Sequence, residues 1–217
     1  MFSDADREAI RQAVQGAEGS TSGEIVPFIT RRSSRYSAAA WRAAATLGAI
    51  GALIAWAARS LQGDWHASWV DQPAFLHTVS GLMAVLGFAL GRWHPASVRW
   101  FAGRSTMDVA IHRRAMQAFV EEEVFNTRDR TGILLFVSLL EHRIEVLGDS
   151  GINAQVTADD WVEVVALIRG GIRRGQPSDG MVAAIGRCGA LLREKGVHIQ
   201  PGDTNELSDG LRLDTGD

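Results

Sequence analysis

The chain contains two long uncharged stretches, AAATLGAIGALIAWAA at residues 43–58 and AFLHTVSGLMAVLGFALG at residues 74–91. Residues 37–41 extend the first stretch past Arg42. The hydrocarbon core of a bilayer is about 30 Å thick, and roughly 20 apolar residues in a helix cross it. The sequence therefore predicts two membrane spans, at residues 38–58 and 74–91, with the Arg42 side chain reaching toward the headgroups. Two buried helices of a soluble protein would instead show a polar stripe, and neither stretch has a clear one.

Tryptophans cluster around these two stretches. Indole rings favour the membrane–water interface, where the apolar ring faces the lipid and the N–H group faces water. This distribution supports a membrane hairpin. Six of the seven tryptophans lie in or beside it: Trp41, Trp56, Trp65, Trp69, Trp93 and Trp100.

Arginines mark the outer flanks of the predicted hairpin and are sparse between the spans. The connection contains Arg59 together with Asp64 and Asp71. The positive-inside rule then places both flanks in the cytoplasm and the connection outside. We predict an integral protein of the cytoplasmic membrane with two spans, whose soluble domain and both termini are cytoplasmic. The flanking arginines are Arg31, Arg32, Arg35 and Arg42 at the first span, and Arg92, Arg99 and Arg104 after the second.

Net charge and cysteine content limit the partners and the covalent cross-links that the chain can have. The net charge of −3 gives no electrostatic signature of nucleic-acid binding, so no nucleic-acid partner is predicted. Cys188 is the single cysteine, so no intramolecular disulfide can form. The lipid bilayer is the partner that the sequence itself indicates.

Outside the hairpin, strand and helix patterns alternate, which predicts an α/β fold. The segment EIVPFIT at residues 24–30 indicates a strand, and Pro27 restricts it to a sheet edge or a bulge. The apolar run ILLFVS at residues 133–138 predicts a strand buried on both faces. The alternating segment RIEVL at residues 143–147 predicts its hairpin partner. Helices are predicted from Ser3 to the glycines at 19–23, over residues 97–125 with a weak point at Gly103, and over residues 157–195.

These elements divide the chain into four parts. Because both flanks of the hairpin share a compartment, residues 24–30 are expected to pair into the same sheet as residues 133–138. The parts are a first piece of the soluble domain at 1–36, the transmembrane hairpin at 37–92, the rest of the domain at 93–198, and a polar, poorly ordered tail at 199–217.

Several segments, taken in order, resemble the TPM domain family, also called the TPM phosphatase family. They are TSGEIV at residues 21–26 after the opening helix, NTRDRTGILLFVSLLEHRIEVLGDSGI at 126–152, the paired helices over 157–195, and NELSD at 205–209. The resemblance implies a small mixed β-sheet with helices on both faces, here interrupted by a two-helix transmembrane hairpin. It also implies weak acid phosphatase activity and calcium binding, as proposed for thylakoid-lumen relatives linked to photosystem II repair. Many relatives are extracytoplasmic with one span after the domain, whereas here the spans lie within it.

A polar cluster surrounds the predicted strand hairpin. Asn126, Arg128, Asp129 and Arg130 precede its first strand, and Asp149 follows its second. The start of one strand of a hairpin lies beside the end of the other, so Asp129 and Asp149 are expected on one rim. The two carboxylates form a candidate site for Ca²⁺ or Mg²⁺. Alternatively, an arginine neutralises them and Asp149 is a turn residue, which the turn preferences favour.

The sequence contains no convincing catalytic motif. Cys188 and Arg193 are separated by four residues, one fewer than in the cysteine-phosphatase loop, and both lie in a predicted helix. We therefore expect Cys188 to be a small buried hydrophobic residue. Residues 148–151, GDSG, resemble a serine-protease nucleophile loop without its β-rich scaffold. The catalytic residues of any activity are therefore left unassigned.

Two functions follow as hypotheses. The first is a non-catalytic, membrane-anchored protein-interaction module in membrane or envelope maintenance. The family resemblance suggests a LemA-type membrane protein as its partner. The second is a weak, metal-assisted phosphoester hydrolase that uses Asp129 and Asp149.

Overall fold

A computed structural model describes residues 2–61, 68–199 and 205–214. The chain divides into two compact units. The first, here called the α/β unit, combines Met1–Ser33 with Ala110–Asp217, and the second, the hairpin unit, comprises Ser34–Val109. The α/β unit is thus assembled from two chain segments that flank the hairpin unit in sequence.

The α/β unit contains a mixed sheet whose described strands follow the order β3-β2-β1-β4. β1 and β2 run parallel and in register over all seven residues of each, which confirms the predicted pairing across the hairpin. β3 is antiparallel to β2, which confirms the predicted strand hairpin. The α/β class is therefore confirmed. The strands are β1 (Glu24–Thr30), β2 (Gly132–Ser138), β3 (Arg143–Gly148) and β4 (Arg212–Asp214).

Two expectations about β1 and the C-terminal segment are wrong. Pro27 does not place β1 at an edge, because β1 lies between β2 and β4. β4 pairs only with Phe28–Thr30, so Pro27, which has no N–H group to donate, lies outside that ladder. Part of the expected tail is ordered as β4. Asp214 accepts hydrogen bonds from Arg114 Nη2 at 2.8 Å and from the Thr30 hydroxyl at 3.1 Å.

One face of the sheet is covered by α1 (Asp4–Glu18), α7 (Val162–Arg173) and α8 (Pro177–Glu194). Their apolar stripes pack against alternate residues of β2, as the two-residue period of a strand requires. The resulting core includes Ile10, Val14, Ile133, Leu135, Ile168 and Ile185, all buried. Fully burying one such side chain stabilises the fold by about 1.5–3 kcal/mol.

The other face of the sheet carries Phe28 of β1 and Phe136 of β2, whose stacked rings have centroids 5.5 Å apart. The helix α5 (Arg104–Glu121) covers this side, and the Arg114 guanidinium lies 5.2 Å from the centre of the Phe28 ring. The sheet therefore has helices on both faces, as expected.

Sequence signals for helix ends are borne out locally. Ser3 and Asp6 form a capping box at the start of α1, with Asp6 N–H donating to Ser3 Oγ at 3.2 Å. A second capping box joins Thr157 and Asp160 at the start of a 3₁₀ helix, Ala158–Trp161. This 3₁₀ helix follows the short α6 (Ser150–Asn153) and leads into α7.

The hairpin unit is formed by α2 (Ser37–Ser60), α3 (Pro73–Trp93) and α4 (Pro95–Ala102). Both α2 and α3 are long and apolar enough to cross a membrane, and their most apolar windows are only 33 % and 11 % buried. A core helix of a soluble protein would be mostly buried, so the exposed apolar surface favours the predicted spans. Residues 62–67 of the connection, which include Asp64 and Trp65, lie outside the described residues.

The Arg42 side chain binds the end of α4. Its Nη1 atom donates to the carbonyl oxygens of Phe101 and Ala102, both at 3.1 Å. These carbonyls belong to the last turn of α4, where they have no partner within the helix. α4 ends at Gly103, whose φ of +82° breaks the predicted long helix into α4 and α5.

Small residues allow α2 and α3 to approach closely. A Cβ atom at Gly87 would lie 2.5 Å from the carbonyl oxygen of Ala43, and one at Gly91 would lie 2.8 Å from the Cα atom of Ala40. The hydroxyl of Ser80 also donates to the carbonyl of Gly48 at 3.0 Å. The packing of the two helices therefore depends on glycine at these positions.

Replacing Gly87 by leucine is expected to lower the melting temperature of the full-length chain purified in detergent. The added side chain would meet backbone of α2, which cannot move aside, and such overpacking costs about 1–3 kcal/mol or more. Gly81→Leu is the matched control, because no described atom lies within 4 Å of a Cβ built at Gly81. An equal fall in melting temperature for Gly87→Leu and Gly81→Leu would contradict close packing at Gly87.

Candidate functional site

The start of β2 and the end of β3 lie side by side, as the sequence predicts. The Asp149 N–H group donates to the Gly132 carbonyl at 2.9 Å, and Gly151 N–H donates to the Arg130 carbonyl at 3.0 Å. A Cβ atom at Gly151 would lie 2.4 Å from the Asp129 carbonyl oxygen, so only glycine permits this approach. The backbones of the two predicted site segments are thus in direct contact.

Arg130 neutralises Asp149. The Asp149 side chain is 6 % exposed, and its Oδ1 atom accepts from Arg130 Nη2 at 3.0 Å and from Ser150 N–H at 2.6 Å. Its Oδ2 atom lies 2.7 Å from Arg130 Nε, close enough for an ion pair although not aligned for a directed hydrogen bond. The aspartate also caps α6. This carboxylate is therefore held by protein groups on both oxygens.

Asp129 and Asn126 have separate partners. The exposed Asp129 carboxylate lies 3.4 Å from Arg128 Nη2. The exposed Asn126 amide donates to Glu123 at 3.3 Å. Within the described ranges, no three His, Cys, Asp or Glu side chains are grouped so as to hold a metal ion. Each aspartate of the predicted pair lies beside its own arginine, so a Ca²⁺ or Mg²⁺ ion shared by the two would have to displace these guanidinium groups.

A polar cavity of about 500 Å³ opens beside this strand edge. Of the predicted site residues, Arg128 and Asp129 line it, whereas Asn126, Arg130 and Asp149 do not. The polar residues Ser22, Gln155 and His198 also line it and were not predicted. We call this the edge cavity, and its lining is Ser22, Arg128, Asp129, Thr131, Gly151, Gln155, Gly196, Val197 and His198.

Long-range hydrogen bonds fix the walls of the edge cavity. The Thr131 hydroxyl donates to the Ser22 carbonyl at 2.6 Å, and the Thr21 hydroxyl donates to the Val197 carbonyl at 2.6 Å. The second bond links residues that are 176 positions apart. Cations, carboxylates, amides and hydroxyls thus meet in one concave surface, which suits recognition of a polar group or a polypeptide segment.

A second cavity, of about 280 Å³, lies beside the end of α1 and the start of β1. Burial raises the pKa of Glu18 to about 8, although its Oε1 atom accepts from Ile25 N–H at 2.8 Å. The Oε2 atom is buried and has no hydrogen-bond partner among the described residues. Burial also raises the pKa of Glu24, which accepts from the N–H groups of Glu206 and Leu207 at 3.3 and 3.4 Å. Glu24 thereby holds the C-terminal segment against β1.

Comparison with known proteins shows the fold and nothing more specific. The chain is similar to the NMR structure of BA42 protein from the psychrophilic bacterium Bizionia argentinensis, with a TM-score of 0.58 and 17 % identity. The similarity covers 98 % of this chain and 95 % of that one. No protein-family model and no curated protein matches the chain.

Glu18→Gln is expected to raise the melting temperature at pH 9 and to change it little at pH 4. The folded chain keeps a proton on Glu18 up to a pKa of about 8, whereas the unfolded chain loses it near the ordinary value of 4.5. Stability therefore falls across this window as the pH rises. Glutamine removes the penalty, which corresponds to about 1.4 kcal/mol for each unit of pKa difference.

Thermal unfolding monitored at both pH values measures this effect. The exposed Glu194 provides the control, because Glu194→Gln removes one charge without removing a buried carboxyl group. Its effect should stay within about 0.5 kcal/mol at either pH. Parallel stability profiles for the parent and the Glu18 variant would show that Glu18 does not titrate with folding.

Proposed function

We propose that this chain is a membrane-anchored binding module whose edge cavity receives a segment of another membrane protein. The observation that carries the proposal is the distribution of charge at the strand edge. The buried carboxylate of Asp149 is paired with Arg130, while Arg128, Asp129 and Gln155 line an open polar surface. Such a surface offers hydrogen-bond donors and acceptors to a ligand.

The anchor in this proposal is the α2–α3 hairpin. Large apolar side chains on its outside, including Leu53, Trp56, Leu82 and Val85, are more than 60 % exposed, and a lipid environment would cover them. The excess of arginine on the outer flanks then places the α/β unit and both termini in the cytoplasm. Membership of the TPM domain family belongs to the same proposal and is supported by the order of α1, β1 and the β2–β3 hairpin. A LemA-type protein as partner is suggested by the family resemblance alone.

The orientation predicts which sites an impermeant thiol reagent can label in intact cells. A cysteine at Ser68 should react, whereas one at Ser3 should react only after the cells are lysed. Both serines are exposed, and the native Cys188 is buried with its pKa raised to about 12, so background labelling should be low. Labelling of Ser3→Cys but not of Ser68→Cys in intact cells would contradict the proposed topology and indicate the opposite orientation.

A second candidate function is hydrolysis of phosphoesters. It is favoured by Arg128, which lines the same cavity as Asp129 and would place positive charge beside phosphoryl oxygens, and by His198, a further hydrogen-bonding side chain of that lining. A metal-assisted reaction would require Asp129 and Asp149 to share a cation. Arg130 now pairs with Asp149, so a cation would have to displace this guanidinium.

A photo-crosslinking amino acid at Gln155, in the full-length chain in cells, should give a discrete crosslinked band with a membrane protein. Gln155 lines the edge cavity, whereas the control position Arg169 is exposed on α7. The charge reversal Arg128→Glu should weaken the Gln155 crosslink.

In a separate assay, the purified chain should hydrolyse p-nitrophenyl phosphate no faster than its Asp149→Asn variant, with or without Ca²⁺ or Mg²⁺.

The hydrolase function makes opposite predictions. Metal-dependent hydrolysis that is lost in Asp149→Asn would overturn the binding proposal. So would a Ca²⁺-induced rise in melting temperature that the same substitution abolishes, because a ligand stabilises the state it binds. Identical crosslinks from positions 155 and 169 would show that the edge cavity is not the binding surface.

A further inference from the structure

The short helix α4 has one buried and one exposed face. Val98 and Ala102 are buried, and the last carbonyls of the helix are held by Arg42 of α2. Trp100 is 74 % exposed, and Trp93, just before the helix, is 73 % exposed. α4 is thus fixed to the hairpin by its inner face while its outer face presents an aromatic side chain.

The same end of the hairpin unit is strongly basic. Residues 90–107 contain Arg92, Arg99 and Arg104 and no acidic residue, and the next acidic residue is Asp108. Arg92 and Arg104 are exposed. At the other end of the hairpin, the Arg59 guanidinium lies 3.6 Å from Asp71, so its charge is compensated within the chain. Exposed arginines within a stretch that has no acidic residue are thus a feature of the α4 end, at Arg92 and Arg104.

Exposed indole and exposed guanidinium groups together call for a partner that is both apolar and negatively charged. A layer of anionic phospholipid has this chemistry, since indole rings favour the headgroup boundary and arginines bind phosphate oxygens. α4 also packs against α2 and α3, whose apolar exteriors a bilayer would surround. At about 1.5 Å per residue, eight residues extend only about 12 Å, which is too short for α4 to cross a bilayer itself.

We infer that α4 is an interfacial helix, with Trp100 at the headgroup boundary and the arginines of this end bound to anionic phospholipid headgroups. The inference rests on the proposed membrane anchor and adds to it a lipid preference. α4 lies in the surface of the leaflet and is not merely a connection between the hairpin and α5. Each arginine near an anionic surface adds to the attraction, so the preference grows with the number of such residues.

Nitroxide labels on the full-length chain, reconstituted in nanodiscs of phosphatidylglycerol and phosphatidylcholine, test the position of α4. Ala96→Cys places a label on the exposed side of α4 and leaves Trp100 intact. Ile54→Cys reports on the exposed apolar surface of α2 within the predicted span, and Arg169→Cys reports on an exposed site of α7. The buried Cys188 should not be labelled. Collisions with oxygen and with a water-soluble nickel complex measure the depth of each label.

The expected depths are distinct at the three positions. The label at 54 should collide with oxygen and hardly with nickel, the label at 169 should collide freely with nickel, and the label at 96 should fall between them. If position 96 matches position 169 while position 54 is shielded, the inference on α4 fails and the anchor stands. If position 54 is as accessible to nickel as position 169, the proposed anchor fails and the inference fails with it.

The lipid preference has its own test. The double variant Arg92→Gln/Arg104→Gln should retain roughly tenfold less phosphatidylglycerol relative to phosphatidylcholine after purification from mixed nanodiscs. Arg169→Gln/Arg173→Gln removes two arginines from α7 and should leave the ratio unchanged. An unchanged ratio in the Arg92/Arg104 variant, or an equal change in both variants, would overturn the assignment of anionic lipid to this end.

Discussion

The parallel pairing of β1 with β2 is the interaction on which the α/β unit depends, because it joins the two segments that flank the hairpin. The strands share a continuous register, although residues 31–131 separate them in sequence. The entropic cost of closing a loop grows only slowly with its length, and a hairpin that returns the chain to its starting side shortens the gap. Burial of Leu134 and Phe136 offsets the remaining cost. A membrane crossing is compatible with this sheet only if the number of spans is even.

The elements that the sequence predicts correctly have signals contained within their own residues. Residues 133–137 are all apolar, and residues 43–58 and 74–91 are long and uncharged, so the strand and the two long helices could be predicted without knowledge of a partner. β4 could not be found in this way, because three residues carry no period and their pairing depends on β1. The expectation that Pro27 places β1 at a sheet edge was wrong for the same reason, because it depends on how β4 pairs with β1. The sequence shows that this residue cannot donate, but only the length of β4 shows how the sheet accommodates it.

In the candidate region, the approach of the two backbone segments could be predicted from the sequence, whereas the partners of their side chains could not. Hairpin geometry brings the segments around Asp129 and Asp149 together, and this follows from two adjacent strands. The choice between an arginine and a cation as counter-charge depends on side-chain directions, which put Arg130 on Asp149 and Arg128 on Asp129. Ser22 and His198 were missed because the ends of distant elements bring them to the edge cavity.

Pairing between distant strands also has a consequence for the order in which the chain is made. β1 leaves the ribosome before the two apolar helices, and its partner β2 follows only after residues 31–131 have been translated. At 5–20 residues per second, β1 has no strand to pair with for roughly 5–20 s. An unpaired apolar strand is prone to edge-to-edge association during such an interval. In a chain anchored as proposed, insertion of the hairpin therefore precedes formation of the sheet, and β1 is the nascent segment most in need of a chaperone.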